Sequence, residues 1–299
     1  MGEGRGEGEY NVISGCCVPL PTQDQFTIRK EVRKQMAFNE ILVEKKAGVA
    51  VVTLNRPERF NSFTTSMYRE FPRIVDQLKR DDEVKAVILT GAGKGFCAGS
   101  DVSDRLGDRL EKGGEESRFE NLQQVGAMAL DLADFDKPVI GAINGAAVGA
   151  GLSIALLCDI RIASEKARFG AVWLNVGLIP DLGATYSLPR IVGREKALEL
   201  MLSREIIKAD TALQIGLVGR VVPHDQLMDE AKKLAEQISS GPSVAIELTK
   251  RALQRSLNND LKTQLDYETY AQNICRQTKD HKEGIRAFAE KRKPAFAGR

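Results

Sequence analysis

Two glycine-rich segments carry the residue types in this chain that are best suited to chemistry. Residues 144–159 read NGAAVGAGLSIALLCD, in which an apolar run leads into the small residues 149–151 and then into a short apolar helix. Residues 84–90 (VKAVILT) are predicted to form a buried strand, and they run into GAGKGFCAGSD at residues 91–101. Small residues let the backbone approach a ligand, and free N–H groups at a helix start attract negative charge. Two such loops could donate two N–H groups to one oxygen that gains charge, as in an oxyanion hole.

Both segments also have plainer interpretations. The first could be a tightly packed strand–helix junction, and the second could be a nucleotide or phosphate loop. A nucleotide loop is disfavoured because no G-x-G-x-x-G is present and Lys94 is followed by Gly95 rather than by Ser or Thr. Cys97 has no evident basic partner and is interpreted as a small packing residue. The only histidines, His224 and His281, are far in sequence from both loops, which disfavours a Ser-His-Asp or Cys-His arrangement. Carboxylates therefore remain the expected proton carriers.

The composition is that of an ordinary globular protein. The chain has 299 residues, enough to bury a full core, with 42% hydrophobic residues and a net charge of +2. So small a charge offers no broad field for nucleic acid, and no apolar run reaches the roughly 18 residues that cross a bilayer. Five cysteines without metal-like spacing indicate reduced thiols, and no signal or transit peptide pattern is evident. We therefore predict a cytoplasmic protein.

Several motifs in order resemble the crotonase superfamily, also called the enoyl-CoA hydratase/isomerase family. The resemblance extends from about Glu40 to the C-terminus. Its motifs are NRPERFNSF (55–63), GKGFCAGSD (93–101), PVIGAINGAAVGAGLSIALLCDIRIAS (138–164), ARFG (167–170), VGLIPDLGATYSLPRIVG (176–193) and FAEKRKPAFAG (288–298).

The resemblance implies an α/β fold, a crotonase-like spiral of ββα units with a C-terminal helical region. We expect a flexible N-terminal extension at residues 1–38, because its start is rich in Gly and Glu and lacks an apolar core pattern. The spiral core is expected at 39–235 and a helical trimerisation region at 236–299. The family usually forms trimers or pairs of trimers, so we predict a homotrimer or a dimer of trimers.

The resemblance also narrows the chemistry to proton transfer. Adding water to a double bond commonly needs two placed proton carriers, which are glutamates in typical hydratases of the family. Their positions correspond here to Ser153 and Trp173, and neither is a carboxylate. One acid remains at a position that some isomerases of the family use, Asp181 in GLIPDLGATY. The pattern resembles 1,2-epoxyphenylacetyl-CoA isomerase and Δ3,Δ2-enoyl-CoA isomerases.

A single carboxylate suits an isomerisation, because the same group can remove a proton from one carbon and return it to another. Flanking Ile179, Pro180 and Leu182 are expected to exclude water from Asp181. The alternative is that Asp181 is a turn residue that caps the next helix.

The resemblance assigns the remaining site residues by position. The backbone N–H groups of Ser100 and Ala150 would be the oxyanion donors. Ser153 and Trp173 would line the acyl pocket. Coenzyme A would contact Arg59 and Lys94 near its phosphates, although both could equally be surface charges, and its adenine end would lie against Ala98, Ser100, Asp101 and Val102. The charged segment 102–120 would cover the acyl pocket as a mobile loop or helix.

We therefore predict an acyl-CoA isomerase that works through a thioester enolate with Asp181 as the proton shuttle. No metal or redox cofactor is implied, and coenzyme A is part of the substrate. The alternatives are an atypical hydratase, hydrolase or lyase on the same scaffold, or a non-catalytic homologue that binds thioesters or RNA. The small net charge disfavours RNA, and the basic run 291–293 is typical of a solvated helix end.

Overall fold

The structure is a computed structural model that describes the backbone of residues 10–13 and 16–19, and residues 40–101, 103 and 125–298 with their side chains. The chain divides into two compact units, Met1–Asn39 and Glu40–Arg299. In the first unit, strands β1 (Tyr10–Ile13) and β2 (Cys16–Pro19) pair in antiparallel fashion. This hairpin was not predicted, and the flexibility expected of residues 1–38 stays a prediction.

The second unit contains two sheets and the helices around them. Its strands are β3 (Ile41–Lys46), β4 (Val49–Leu54), β5 (Ala86–Gly91), β6 (Gly95–Cys97), β7 (Val139–Ile143), β8 (Ala146–Val148), β9 (Ile160–Ser164), β10 (Arg168–Gly170), β11 (Ile206–Lys208) and β12 (Arg220–Val222). Its α-helices in the described ranges are α1 (Thr65–Lys79), α2 (seen over residues 125–133), α3 (Ala150–Leu157), α4 (Ala184–Val192), α5 (Arg194–Ser203), α6 (Ala209–Gln214), α7 (Leu227–Ser239), α8 (Ser243–Ser256), α9 (Leu261–Gln277) and α10 (Lys279–Ala289). Short 3-10 helices cover Pro57–Arg59, Trp173–Val176 and His224–Gln226.

A six-stranded sheet forms the base of this unit, in the order β12-β9-β7-β5-β4-β3. The β3–β4 pair is an antiparallel hairpin, whereas the other pairs are parallel. Every residue of β5 and β7 is buried. Parallel strands covered on both faces read as continuous apolar runs, which is why AVILTG and VIGAI lack polar alternation.

Helices cover both faces of this sheet. On one face, α7 packs Leu227, Ala231 and Ala235 against a cluster that includes Ile88 and Ile140. On the other, α1 buries a stripe of apolar residues, and all of them except Met67 line a small internal space together with neighbouring strand residues. The members of that stripe are Met67, Phe71, Ile74, Val75 and Leu78.

The four-stranded sheet, in the order β11-β10-β8-β6, brings the two glycine-rich segments together. The segment at residues 91–101, called the first loop below, contributes β6, and the segment at residues 144–159, called the second loop, contributes β8; these strands pair in parallel. Helix α3 follows β8 directly and is buried over most of its length. Because β6 and β8 are parallel neighbours, the loops at their carboxyl ends lie at the same edge of the sheet.

The C-terminal region is helical, as predicted. Helices α8, α9 and α10 follow one another in this region, and α10 begins two residues before His281. The predicted boundary at residue 235/236 falls inside α7 rather than between helices. Helix α8 is tied to the core by Lys250, whose Nζ lies 2.6 Å from Asp159 Oδ2. Among the described residues, no helix is long and apolar enough to span a membrane.

Candidate active site

The loop that carries Ser100 is held by an isolated parallel bridge to Phe63. The N–H of Phe63 donates to Gly99 O at 2.8 Å, and the N–H of Asp101 donates to Phe63 O at 2.8 Å. In extended backbone, neighbouring peptide groups point in opposite directions. Since Gly99 O and Asp101 N both face Phe63, the N–H of Ser100 points to the opposite side.

The second loop presents its N–H groups at the start of α3. Gly149 is the residue before the helix, with φ +55° and ψ −124°, and no side chain caps the helix start. A residue with a Cβ rarely adopts this conformation, so glycine is required here. The N–H of Gly149 donates to Gly170 O, and Gly149 O accepts the N–H of Ser153. Over the described residues, we find no protein acceptor for the N–H of Ala150.

The two loops are in close contact. A Cβ built on Gly99, which has a φ of +104°, would lie 3.1 Å from Val148 O and 3.7 Å from Ala150 N. One residue further along α3, a Cβ on Gly151 would lie only 2.0 Å from Cys97 O. The glycines thus allow a close backbone-to-backbone approach of the two loops. The assignment of the Ser100 and Ala150 N–H groups as oxyanion donors stays a prediction.

The first half of the first loop faces inward and is held by two buried amides. Asn61 Nδ2 donates to Ala92 O and Gly95 O, and Asn144 Nδ2 donates to Gly93 O and Gly95 O. Asn144 Oδ1 in turn accepts the N–H of Gly91. With these groups engaged inside the protein, residues 91–95 serve as a support for residues 99–101 rather than as a phosphate loop.

Asp181 contacts Ser153 and Trp173, the two residues at the positions where typical hydratases of the family carry glutamates. The indole Nε1 of Trp173 donates to Asp181 Oδ1 at 2.9 Å. The hydroxyl of Ser153 donates to the backbone oxygen of Asp181 at 3.0 Å. Ser153 and Trp173 are 0% and 6% exposed, so both contacts lie inside the protein. Ser153 lies three residues after Ala150, about 4.5 Å along the helix axis, which places Asp181 beside the candidate oxyanion donors.

The helix-cap interpretation of Asp181 is wrong. Helix α4 begins after Gly183, and no side chain caps it. The expected apolar shielding is also only partly present, because Leu182 is 4% exposed whereas Ile179 is 75% exposed in the single chain. The Asp181 side chain is half-buried and has one oxygen in the hydrogen bond with Trp173.

The residues assigned to coenzyme A lie at the rim of the first loop. Arg59 and Lys94 are exposed, and neither has an ion-pair partner among the described residues. Their loops touch, since a Cβ on Gly93 would lie 2.9 Å from Pro57 Cβ. Ala98 is exposed as well. Val102 and segment 104–120 lie outside the described residues, so their predicted roles stay predictions.

The side chain of Asp101 binds other residues of the protein, and its predicted contact with adenine stays a prediction. The side chain is 9% exposed and is engaged inside the protein. Oδ2 lies 3.1 Å from Arg56 Nη1, and Oδ1 accepts the N–H and the hydroxyl of Ser103. The carboxylate therefore holds the loop in place through Arg56 and Ser103. Sequence reasoning missed Arg56, whose only signal was its place in the motif NRPERFNSF.

Cys97 and His224 are placed as packing and turn residues. Burial raises the pKa of the Cys97 thiol to about 12, which is unsuited to a nucleophile. His224 Nδ1 lies 2.9 Å from Ser164 Oγ, and it borders a cavity of about 370 Å³ that Gly91 and Gly93 also line. His224 is thus nearer to the first loop than its sequence position suggested. Ser164 is completely buried, however, and cannot serve as a nucleophile.

Comparison with known proteins identifies the family. The sequence pattern described as enoyl-CoA hydratase/isomerase matches residues 44–299. The chain belongs to the enoyl-CoA hydratase/isomerase family. The predicted membership in the crotonase superfamily and the predicted crotonase-like α/β fold are both confirmed.

Characterised relatives in this family include both a hydratase and an isomerase. The chain is 42% identical over 259 residues to the short-chain-enoyl-CoA hydratase of Clostridium acetobutylicum, covering 86% of this chain and 97% of that protein. It is 40% identical over 263 residues to the 1,2-epoxyphenylacetyl-CoA isomerase of Escherichia coli, covering 87% and 98%. The crystal structure of an enoyl-CoA hydratase from Bacillus anthracis matches with a TM-score of 0.82 at 36% identity, covering 87% of this chain and 100% of that one. Overall identity therefore establishes an enoyl-CoA hydratase/isomerase family enzyme but does not separate the two reactions.

Proposed function

We propose that this enzyme is an acyl-CoA isomerase that moves a double bond, or rearranges a ring, through a thioester enolate. The N–H groups of Ser100 and Ala150 bind the thioester oxygen as it gains charge. Asp181 removes a proton from one carbon of the acyl chain and returns it to another. The reaction needs neither a metal nor a redox cofactor, and coenzyme A enters as part of the substrate.

The hydrogen bond from Trp173 to Asp181 carries this proposal. It engages Oδ1 and leaves Oδ2 for the substrate. The carboxylate is thus oriented to act as a single base, with Oδ2 as the oxygen that takes up the proton. A hydratase of the usual kind needs a second proton carrier to activate water. At the two positions where the family places such carriers, Ser153 and Trp173 donate to Asp181 instead. The arrangement supports one proton shuttle rather than an acid–base pair.

Product analysis tests the reaction class. The purified enzyme is incubated with 3-enoyl-, 2-enoyl- and ring-bearing acyl-CoAs, and the products are identified by mass and by NMR. An isomerase gives a product of unchanged mass with a moved double bond or a rearranged ring. A mass gain of one water identifies a hydratase and would contradict the proposal, and a free-acid product would do the same in favour of a hydrolase.

A hydratase is the second candidate, because the chain is slightly more similar to the Clostridium acetobutylicum hydratase than to the Escherichia coli isomerase. In this version Asp181 would activate water and Ser153 would assist. Ser153 is poorly suited to that role, since its hydroxyl already donates to a backbone oxygen and its side chain has no exposure.

Coenzyme A binding and assembly complete the proposal. Arg59 and Lys94, which have no ion-pair partner among the described residues, would hold the phosphates. Reversing either charge should raise KM without changing kcat greatly.

Several apolar side chains of the C-terminal helices are at least half exposed in the single chain, and a cavity of about 400 Å³ lies beside two of them, Ile285 and Phe288. Such exposure supports self-association. The proposed assembly is the trimer or dimer of trimers usual in the family, which light scattering coupled to gel filtration would test, and the proposed location is the cytoplasm. The exposed set is Leu253, Leu257, Leu261, Leu265, Tyr270, Ile285 and Phe288.

A further inference from the structure

We propose that Arg56 is a positioning residue for the oxyanion hole, acting through Asp101 on the N–H of Ser100. The inference rests on the proposed function, because it assigns Arg56 a role in holding one of the two proposed oxyanion donors. Arg56 itself follows strand β4 and does not belong to either glycine-rich loop.

The guanidinium of Arg56 joins three separate parts of the chain. Its Nη1 donates to Ser62 O at 2.6 Å and lies 3.1 Å from Asp101 Oδ2. Its Nε lies 3.0 Å from Glu40 Oε1. Glu40 in turn accepts the hydroxyl of Thr64, whose oxygen caps the start of α1. One side chain thus connects the start of the unit, the segment before α1 and the loop after β6.

The contact at Asp101 is transmitted directly to Ser100. One carboxylate oxygen of Asp101 pairs with Arg56, and the other accepts hydrogen bonds from Ser103. The backbone N–H of Asp101 donates to Phe63 O. Ser100 lies between this anchored residue and Gly99, whose oxygen is also bound to Phe63. The Ser100 N–H belongs to the same planar peptide group as Gly99 O, so the bond from the N–H of Phe63 to Gly99 O sets its direction. The bonds of Asp101 hold the other side of Ser100.

Charge gives Arg56 a second effect on the same site. The Asp101 carboxylate is nearly buried and adjoins the residue that would stabilise a developing enolate oxygen. An unpaired carboxylate there would repel that oxygen, whereas the Arg56 guanidinium, whose side chain is 16% exposed, neutralises it. Lysine could supply the charge but not the three directed contacts of the guanidinium.

Infrared spectroscopy of a bound thioester tests this role without requiring turnover. Butyryl-CoA labelled with ¹³C at the carbonyl has no double bond to move, and an oxyanion hole lowers its carbonyl stretching frequency. The wild-type protein, Arg56→Met, Arg56→Lys and the control Arg73→Met are compared as full chains. Arg73 is exposed on α1 and outside the proposed site.

We expect the frequency shift to be present in the wild type and in Arg73→Met. It should be largely lost in Arg56→Met and partly restored in Arg56→Lys, with the Kd for butyryl-CoA little changed. With a substrate that the wild type isomerises, kcat should fall about 10²-fold in Arg56→Met, the usual effect of a misplaced catalytic group, while KM stays close to the wild-type value.

The outcomes separate this inference from the proposed function. A folded Arg56→Met with the full wild-type shift overturns the positioning role alone. If Arg56→Met does not fold, Asp101→Asn decides, because it removes the charge of the intermediary while keeping its shape. A wild-type shift in Asp101→Asn then refutes the inference, and a reduced shift supports it. If the wild type itself shows no shift, the oxyanion hole is refuted and the positioning role falls with it.

Discussion

The contact between Trp173 and Asp181 makes a sharp prediction for the variant Trp173→Phe. The substitution keeps an aromatic ring in the buried site but removes the N–H that donates to Asp181 Oδ1 at 2.9 Å. The carboxylate then loses the group that fixes its orientation. We expect slower isomerisation with little change in the binding of coenzyme A thioesters.

The size of the effect follows from the kind of hydrogen bond. A hydrogen bond to a charged group contributes about 1.5–3 kcal/mol. Because Asp181 is only half-buried and water can partly replace the lost donor, we take the lower part of this range, about 1.5–2 kcal/mol. At about 1.36 kcal/mol for each factor of ten, kcat/KM should fall roughly 10- to 30-fold. Loss of ring volume should also cost roughly 1–2 kcal/mol of stability, less than a truncation to alanine.

The assay follows conjugation of a 3-enoyl-CoA to its 2-enoyl isomer by absorbance, at a temperature where both proteins are folded. Asp181→Asn sets the background rate of the assay, because we expect it to abolish migration. Because Trp173 is the only tryptophan in the chain, its fluorescence also reports ligand binding in Asp181→Asn. A folded Trp173→Phe with wild-type kcat/KM would refute the reasoning.

Three further predictions concern the scaffold. Gly151→Ala places a Cβ 2.0 Å from Cys97 O, so overpacking should lower the free energy of unfolding by about 3 kcal/mol in urea titration. Lys250→Met removes the 2.6 Å partner of Asp159, but Asp159 is exposed and keeps the N–H of Val139, so we expect about 1–2 kcal/mol of destabilisation in the same assay; wild-type stability would contradict it. The thiol pKa of Cys97, raised to about 12 by burial, should keep it unmodified by iodoacetamide at pH 8 while half-buried Cys275 reacts, as mass spectrometry of peptides would show. The raised pKa also predicts how stability depends on pH. Because the pKa of the Cys97 thiol is higher in the folded state than in the unfolded state, the free energy of unfolding should fall as the pH rises above the ordinary thiol pKa.

Gly126→Ala is the matched control for the glycine substitution. Gly126 lies in α2, and a Cβ there would meet nothing within 4 Å. Alanine should therefore stabilise the helix by about 0.4–1 kcal/mol instead of destabilising it. Similar losses in both variants would show that the contact with Cys97 is not the cause.

The features that depend on local pattern were predictable from sequence. The buried parallel strands show as apolar runs, and the amphipathic stripe of α1 shows as helical periodicity. The two glycine-rich loops were found because glycine is needed wherever backbone approaches backbone, as at Gly99 and Gly149. These signals are carried by residues close to one another in the chain.

The contacts that orient the site depend on tertiary structure and were not predictable. The chain reverses after Trp173 through Gly177, at φ +68°, and returns Asp181 to the indole. From sequence alone, an aspartate after proline also fits a helix cap. The pairing of Arg56 with Asp101 joins residues 45 positions apart, and nothing in a single sequence marks them as partners.

The rate of double-bond migration by Asp181→Asn tests the central claim most directly. Asparagine keeps the shape of the side chain and can still accept the N–H of Trp173, but it cannot take up and return a proton. With a 3-enoyl-CoA that the wild type isomerises, we predict that migration is abolished while the thioester still binds, as quenching of Trp173 fluorescence would show. Full isomerase activity in this variant would contradict the account and place the proton shuttle on another group.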